Sequence, residues 1–512
     1  MTDMEITQSQ TNIFERHPFW LRSCLALMFL LAALFRWDDI RAPGHLPDRE
    51  YTSAIFARAF YFTNNDQVEG WRRDIAVTTM RQQPILEPPL VEYLVSLVYR
   101  IIGREQLYYA RYLTGAFWLV GGVFMYLLTR KLLESTEAAA FATLYYLFVP
   151  MGVIISRSFQ PDSLMMMLFL VCLYLLVDYF DTDGRNTLLV ASIVTGFTLL
   201  LRPLVLFAVF FAFLSLSLSK KRSWRTVLDR PLLIFTAISL LPVAIYYGYG
   251  IVFAGFMHWK VSTSFMPYLL TKRAFWLGWF QLGTGVVGPA FLVAAIIGFF
   301  LLRNRAAQSL MVGLACSYLL FGVAFTYHIH THPYYHIQLF PLIAICAAAC
   351  LSSLLKSLQD AAGKLWALPV LFSLVVSLYV AHRVVRDDLY RTQIDDPRIA
   401  WKIGELIEHN PHTVFVSRYY GIPLEYYGEF GGAAWPVRIE DPFYRQPDAR
   451  EQSVQERIDQ LGFRPDYFVI TNFDLYRRKH QDLESYLQSN CSSRLESSDY
   501  LIYSQCQTLS KH

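Results

Sequence analysis

Long apolar runs separated by short polar loops dominate the chain up to about residue 381. A helix of about 20 apolar residues crosses the hydrocarbon core of a membrane. The pattern predicts eleven such helices, at about 19–35, 109–129, 138–156, 163–180, 187–201, 203–219, 231–253, 276–302, 308–327, 337–355 and 365–381. Only 17% of the 512 residues are charged and 54% are hydrophobic, whereas soluble chains are about 25% charged. We therefore predict a polytopic α-helical membrane protein.

One apolar run, Pro88–Ile102, is left out of this set. It lies in a long loop after the first span, about Trp37–Tyr108, which is too polar to cross a membrane and rich in aromatic residues. The run is short and carries Glu92 and Arg100, and charges near the middle of a membrane are costly. We therefore expect an interfacial helix here, within a long first outer loop of short amphipathic helices.

Positive charges orient the predicted spans. Arg16 and Arg22 flank the first span, which indicates a cytoplasmic N-terminus. The inner loops then carry more than twice as many lysines and arginines as the outer loops, and counting Pro88–Ile102 as a span would invert that ratio. The run 187–219 is too long for one span, and Arg202-Pro203 splits it because proline ends helices. The prediction places the C-terminus on the outer side.

The composition changes near Arg383, where charges become frequent and apolar runs shorten. We expect a transmembrane domain over residues 1–384 and an extracytoplasmic α/β domain over residues 385–512. An amphipathic pattern predicts a helix at Trp401–Ile407, and two short apolar runs predict buried strands. These strands are Val414–Val416 and Tyr467–Ile470.

Two of the seven cysteines, Cys491 and Cys506, lie in the polar C-terminal segment, and the other five fall in apolar runs. A disulfide between the two would indicate an oxidising compartment, and two free thiols in a cytosolic tail are the alternative. The net charge is +4. No basic stripe appears outside the short loops, so the pattern predicts no nucleic-acid binding.

The polar groups that can carry chemistry collect on the predicted outer side. The acids are Asp48, Glu50 and Asp162. A carboxylate can take a proton from an attacking group, and a cation can neutralise a departing phosphate. Other interpretations stay open, because Asp48 and Glu50 suit a solvated loop and Asp162 suits a helix N-terminus. The candidates for phosphate or substrate contact are Glu87, Arg157, Arg202, Lys260, Lys272 and Arg273.

Four histidines, His328, His330, His332 and His336, follow the predicted ninth span. His328 and His332 have helical spacing, but Pro333 breaks any helix there. Three interpretations stay open at His328 and His332: a divalent metal site, contact with phosphate or substrate, or packing at the interface. No acid or cysteine accompanies them, so we assign no set of metal ligands and no cofactor.

The order of the motifs over residues 19–350 resembles the bacterial GT-C glycosyltransferases of the protein O-mannosyltransferase and aminoarabinose transferase type (glycosyltransferase family 39 and its relatives). The matching residues are the acidic first-loop motif, Glu87-Pro88-Pro89-Leu90, Tyr109-Ala110-Arg111, Gln160-Pro161-Asp162, Leu201-Arg202-Pro203 and His332-Pro333-Tyr334-Tyr335. Each motif is weak alone, and their order and shared side of the membrane make the match specific.

The resemblance implies an inverting transfer of a sugar from a polyprenyl-phosphate donor to a lipid, glycan or protein acceptor. It implies that the first-loop acid is the general base and that Asp162 helps hold the acceptor or the base. Counting back from Ala57-Arg58 puts Glu50 on the family's glutamate, and a slip of one residue restores Asp48. Both stay candidates, with Glu50 favoured. The motifs add Arg58, Tyr334 and Tyr335 to the candidates for substrate contact.

The predicted location is the inner membrane of a bacterium, among membrane lipids, with the site facing outward. Nucleotide sugars are confined to the cytoplasm, so an outer site favours a lipid-linked donor. The alternative function is a transporter or flippase of a lipid-linked saccharide, which predicts polar residues within spans and two similar halves. Neither feature is present in the sequence. A membrane scaffold whose tail binds a partner is a weaker alternative.

Overall fold

Proline, glycine and charged residues set the ends of the helices in this chain. A computed structural model describes residues 18–43, 46–85, 87–223, 225, 229–255, 264–362, 367–435 and 452–506. The chain divides into two units, which we call the helical unit and the mixed unit. The helical unit is Met1–Ile40, Arg111–Arg157 and Pro161–Asp387, and the mixed unit is Arg41–Ala110, Ser158–Gln160 and Asp388–His512.

The α-helices are numbered along the chain. They are α1 (Pro18–Trp37), α2 (Pro47–Thr63), α3 (Gly70–Gln82), α4 (Leu90–Ile102), α5 (Leu107–Leu133), α6 (Thr136–Phe148), α7 (Pro150–Arg157), α8 (Asp162–Thr182), α9 (Arg185–Leu201), α10 (Leu206–Lys221), α11 (Arg230–Gly248), α12 (Arg273–Val287), α13 (Pro289–Leu301), α14 (Arg305–Ala324), α15 (Thr326–Thr331), α16 (Phe340–Ala362), α17 (Ala367–Arg391), α18 (Pro397–Leu406), α19 (Ile422–Gly428), α20 (Val454–Asp459), α21 (Phe473–Lys479) and α22 (Gln481–Asn490). Short 3₁₀ helices at Pro203–Val205, Pro267–Thr271, Pro333–Leu339 and Arg418–Gly421 and a π-helical turn at Tyr249–Phe253 complete the helical elements.

The described part of the chain contains six helices that are long and apolar enough to cross a membrane, or eight if each of two bent pairs is one span. The protein is therefore a multi-pass membrane protein. The expected total of eleven spans is not confirmed. The six are α5, α8, α14, Pro203–Lys221, Arg230–Phe253 and Pro333–Gln359, and the bent pairs are α6 with α7 and α12 with α13.

The run 276–302 is where the structure departs most clearly from the expected straight span. Helices α12 and α13 meet at an angle of 89°. Gly288 joins them with a φ of +85°, in the left-handed region that favours glycine. Pro289 then starts α13, where its fixed φ and missing N–H suit the first helical position. This Gly-Pro pair explains why the apolar run bends.

The mixed unit is built around a five-stranded sheet with the order β2-β1-β3-β5-β4. The first three of these strands in spatial order are parallel, and β5 and β4 are antiparallel to their neighbours. Apolar residues from both faces of the sheet are buried against helices of the C-terminal segment. The strands are β1 (Thr413–Val416), β2 (Gly432–Ala434), β3 (Tyr467–Ile470), β4 (Cys491–Glu496) and β5 (Leu501–Cys506).

Three helices of the first loop, α2, α3 and α4, belong to the mixed unit together with the C-terminal segment. Helix α4 has 13 residues and is therefore about 20 Å long, shorter than the hydrocarbon core of a membrane. The helix begins at Leu90, and the interfacial position expected for Pro88–Ile102 stays a prediction. Strands β1 and β3 coincide with the two predicted strands, and a disulfide joins Cys491 to Cys506 at the end of the β4–β5 pair.

Candidate functional site

Helix α2 carries the two candidate acids, Asp48 and Glu50, in its first turn, where Pro47 starts the helix. Negative charge at this end of a helix is favourable because the first backbone N–H groups lack helical partners. Glu50 is fully buried, and its Oε1 accepts a hydrogen bond from the backbone N–H of Phe159 at 3.0 Å. The Ser158–Gln160 segment lies in the same unit. The Glu50 carboxylate therefore fixes this segment.

Asp48 lies two residues earlier and differs from Glu50 in its surroundings. It is half-buried rather than enclosed. Among the described residues, only its backbone carbonyl is engaged, and that carbonyl accepts from the Thr52 hydroxyl at 2.7 Å. Its carboxylate is therefore open to an incoming group, whereas the Glu50 carboxylate is already committed to the protein.

Two of the candidates for phosphate or substrate contact in the first loop, Glu87 and Arg58, have protein partners in the structure. Glu87 forms an ion pair with Arg49. The Nε of Arg58 donates to the Glu105 carboxylate at 2.8 and 3.0 Å, and its Nη1 donates to the carbonyl of Tyr426. Burial disfavours the charge of Arg58, but Glu105 more than compensates and raises the pKa of the guanidinium above its ordinary value. Glu87 and Arg58 therefore both stabilise the mixed unit.

Another acid of this unit is Glu92 on α4, which the sequence analysis used only as evidence against a membrane span. It is buried, and its Oε1 accepts from the Ser53 hydroxyl of α2 at 2.7 Å. Burial raises the pKa of Glu92 to about 6 despite this hydrogen bond. The two helices thus meet through a carboxyl group that titrates near neutrality.

Helix α19, from the C-terminal segment, supplies residues that sequence reasoning missed. Glu429, just after α19, forms a two-point ion pair with Arg72 of α3. Glu425 is buried, and its Oε2 accepts from the Gln83 side chain at 3.0 Å. Burial raises the pKa of Glu425 well above its ordinary value, which favours the neutral acid. In the sequence, these residues appear only as two acids inside the aromatic run 424–430. Nothing in the sequence indicates which residues they contact.

The helical unit brings together several other predicted residues. Asp162 opens α8, is fully buried, and its Oδ2 accepts from Nη2 of Arg202 at 2.7 Å. Its Oδ1 is buried and has no hydrogen-bond partner among the described residues. Arg202 stands in extended conformation between α9 and the 3₁₀ helix that Pro203 begins. The break in the helix therefore turns this guanidinium toward the buried acid.

Aromatic side chains continue this cluster. The guanidinium of Arg202 lies 5.8 Å from the ring of Tyr334, within range of a cation–π interaction. The ring of Tyr334 lies 5.5 Å from His332, and His328 stacks on Tyr335 at 4.8 Å. His328 Nε2 also lies 3.2 Å from the Ser264 hydroxyl. The predicted acid, arginine, histidines and tyrosines thus form one chain of contacts within the helical unit.

The remaining candidates lie elsewhere. Arg157 donates to the carbonyls of Phe35 and Asp38 at 2.7 and 2.6 Å, and so satisfies the C-terminal end of α1. Lys272 and Arg273 are exposed at the start of α12, and Lys260 lies outside the described residues. Within the described ranges, no group of three or more His, Cys, Asp or Glu residues could hold a metal ion.

We compared the sequence and the fold with those of known proteins. Residues 86–247 match the family model described as dolichyl-phosphate-mannose-protein mannosyltransferase. This segment contains Asp162, Arg157 and Arg202. No curated protein sequence is significantly similar to the chain.

Two solved structures have a similar fold. The crystal structure of ArnT from Cupriavidus metallidurans bound to undecaprenyl phosphate matches with a TM-score of 0.59 and 15% identity, over 94% of this chain and 97% of that one. The archaeal oligosaccharyltransferase AglB from Archaeoglobus fulgidus, in complex with an inhibitory peptide and a dolichol-phosphate, matches with a TM-score of 0.54 and 12% identity. That match covers 97% of this chain and 75% of that one.

Proposed function

Because the chain is of the GT-C type represented by protein mannosyltransferases and ArnT, we propose that it moves a sugar from a polyprenyl-phosphate donor to an acceptor at the outer face of the inner membrane. The acceptor is a lipid, glycan or protein. The structures of ArnT and AglB contain undecaprenyl phosphate and a dolichol-phosphate. This supports a lipid phosphate as the leaving group here.

The ion pair between Asp162 and Arg202 carries this proposal. Both residues fall in the segment that matches the mannosyltransferase family model, and their side chains meet in a buried setting. A guanidinium can bind a phosphate through two parallel hydrogen bonds. Arg202 is proposed to stabilise the negative charge on the departing lipid phosphate, with Asp162 fixing its orientation.

The proposed reaction is a single displacement. The acceptor oxygen or nitrogen forms a bond to the anomeric carbon as the bond from that carbon to the phosphate oxygen breaks, which inverts the anomeric configuration. The phosphate leaves with the bonding electron pair as polyprenyl phosphate. A carboxylate takes the proton of the acceptor group.

Asp48 is proposed as that carboxylate, with Glu50 as a positioning residue. A general base must reach the proton that it removes. The half-buried Asp48 carboxylate can do so directly, while the enclosed Glu50 holds the Phe159 N–H. This assignment departs from the preference for Glu50 that the motif register favoured.

Transfer by the purified full chain tests the proposal. The assay supplies radiolabelled sugars on polyprenyl phosphate and follows label into lipid, glycan and protein fractions. Asp48→Asn is expected to lower the rate by about 10²- to 10⁴-fold, the usual contribution of a general base. Glu50→Gln keeps an oxygen for the Phe159 N–H and is expected to cost less. Asp66→Asn, at an exposed acid of the same unit, is the matched control.

Other outcomes are equally informative. Normal transfer by Asp48→Asn with complete loss in Glu50→Gln would make Glu50 the base. If a folded parent chain transferred sugar from no donor, the glycosyltransferase proposal would fail, and uptake of lipid-linked saccharide into vesicles would become the assay to run.

A further inference from the structure

Three aromatic rings of the mixed unit form a partly exposed surface. Their residues are separate in sequence from the acids of α2. Trp71 near the start of α3 is 41% exposed, and Trp401 on α18 is 37% exposed. The ring of His409 lies between them, with its centroid 4.3 Å from Trp71 and 5.3 Å from Trp401. Neither tryptophan belongs to the hydrophobic clusters on the two faces of the sheet. Contiguous exposed apolar surface can mark a ligand-binding site.

Hydrogen bonds hold two of the three rings in place. The Trp71 indole N–H donates to Oε2 of Glu69 at 2.7 Å. His409 Nδ1 lies 2.9 Å from the carbonyl of Gly428. Because a carbonyl only accepts, Nδ1 carries the proton, and Nε2 of the neutral ring is an acceptor. Rings that are already fixed lose little conformational freedom when a ligand binds.

The surface therefore offers flat apolar faces and hydrogen-bond acceptors side by side. Nε2 of His409 has no hydrogen-bond partner among the residues that the structure describes, and Glu69 is exposed. A pyranose ring has the matching chemistry, with apolar C–H faces and hydroxyl groups at its edge that donate hydrogen bonds.

The charges around the rings are of both signs. Glu69 lies beside Trp71 and the exposed Glu405 follows Trp401 by one helical turn, while the exposed Arg398 precedes Trp401 by one turn and Lys402 follows it directly. A mixed set of charges favours neither an anionic nor a cationic ligand. We infer that Trp71, His409 and Trp401 bind a neutral saccharide, which makes a glycan the acceptor class. The saccharide site is inferred from the three rings. Its role as the acceptor site rests on the proposed function.

Isothermal titration of the full chain with chitohexaose, maltoheptaose and mannohexaose tests the site. The protein is held in a detergent without a sugar headgroup, because a maltoside would compete for the rings. We expect at least one of the three oligosaccharides to bind. Trp71→Ala and Trp401→Ala should each raise the Kd for that oligosaccharide about tenfold. Trp71→Phe should retain most of the affinity.

Leu406→Ala is the matched control, because Leu406 is an exposed apolar residue of the same helix, 41% exposed. Its Kd should equal that of the parent chain. Absence of binding by all three oligosaccharides in the folded protein would overturn the inference. Binding that is unaffected by Trp71→Ala and Trp401→Ala would overturn it as well.

Two further results separate this site from the proposed reaction. Vesicles of phosphatidylethanolamine and phosphatidylglycerol should bind the parent and the tryptophan variants equally, and selective loss in the variants would instead make the surface a membrane anchor. Oligosaccharide binding without transfer from any donor would support the site while the proposed reaction fails. An unchanged KM for a glycan acceptor in Trp71→Ala would overturn the inference that the rings bind the acceptor and leave the reaction standing.

Discussion

The phenol oxygens of Tyr51 and Tyr427 lie 3.0 Å apart, although 376 residues separate the two tyrosines in the chain. Tyr51 follows Glu50 on α2, and Tyr427 lies on α19. Tyr51 is almost completely buried. The hydrogen bond therefore ties the helix that carries the candidate base to the C-terminal segment, and this segment is part of what positions α2.

Removing either hydroxyl should weaken the mixed unit by a similar amount. A hydrogen bond of this kind contributes about 0.5–1.5 kcal/mol to the free energy of unfolding. Tyr51→Phe and Tyr427→Phe should each lower the Tm of the detergent-solubilised protein, and the double variant should lose little more than either single one. Tyr93→Phe, at an exposed tyrosine of the same unit, should leave the Tm unchanged. Additive losses in the double variant would show that the hydroxyls are not coupled.

Acid should stabilise the contact between α2 and α4. Burial raises the pKa of Glu92 from 4.5 to about 6, so the folded state binds its proton more tightly than the unfolded state. The protonated Glu92 thus adds about 2 kcal/mol to the free energy of unfolding below pH 4.5. This contribution is lost as the pH rises through about 6. Glu92→Gln should raise the Tm at pH 7.5 and reduce the change in Tm between pH 7.5 and pH 5. An unchanged pH profile would contradict the assignment.

The buried pair in the helical unit should be more sensitive to the loss of one partner than to the loss of both. The side chain of Asp162 is 0% exposed and that of Arg202 is 11% exposed. Arg202→Ala leaves a buried carboxylate without its guanidinium, which typically costs about 3–5 kcal/mol. Asp162→Asn combined with Arg202→Gln should recover much of this loss in Tm. Equal Tm values for Arg202→Ala and the double variant would indicate that the charge on Asp162 is compensated in another way.

Two glycines in neighbouring helices should respond in opposite ways to alanine. A Cβ at Gly298 on α13 would lie 1.8 Å from the backbone oxygen of Cys346 on α16, so Gly298→Ala must push the helices apart. Overpacking of this kind costs about 1–3 kcal/mol. A Cβ at Gly285 on α12 would meet nothing within 4 Å, and alanine is the better helix former. Thermal unfolding should show a lower Tm for Gly298→Ala and an equal or higher Tm for Gly285→Ala.

The membrane class and several local elements were predictable because they depend on neighbouring residues. Apolar runs of spanning length predicted a multi-pass protein, and the charges Glu92 and Arg100 predicted a short helix at Pro88–Ile102. The two predicted strands are present as β1 and β3. The motif resemblance to GT-C glycosyltransferases is confirmed by the family match over residues 86–247 and by the fold.

The partners of buried polar groups were not predictable, because they lie far apart in sequence. Arg58 and Arg157 have the charge that a phosphate site needs, yet their guanidinium groups bind Glu105 and backbone carbonyls. Glu425 and Glu429, in and just after α19, belong to no recognisable sequence motif. The bend of 89° between α12 and α13 depends on the backbone conformation of Gly288, while hydropathy records only an unbroken apolar run.

The mixed unit is discontinuous along the chain, and this constrains how the protein is made. Residues 41–110 leave the ribosome well before residues 388–512, although the two segments belong to one compact unit. Translation proceeds at about 5–20 residues per second, so tens of seconds pass before the partner segment exists. During that time, the loop that carries α2 and α3 lacks its partners Tyr427 and Glu429. Maturation of α2 thus waits for the end of synthesis, and a nascent chain stalled before residue 388 should display a protease-sensitive first loop.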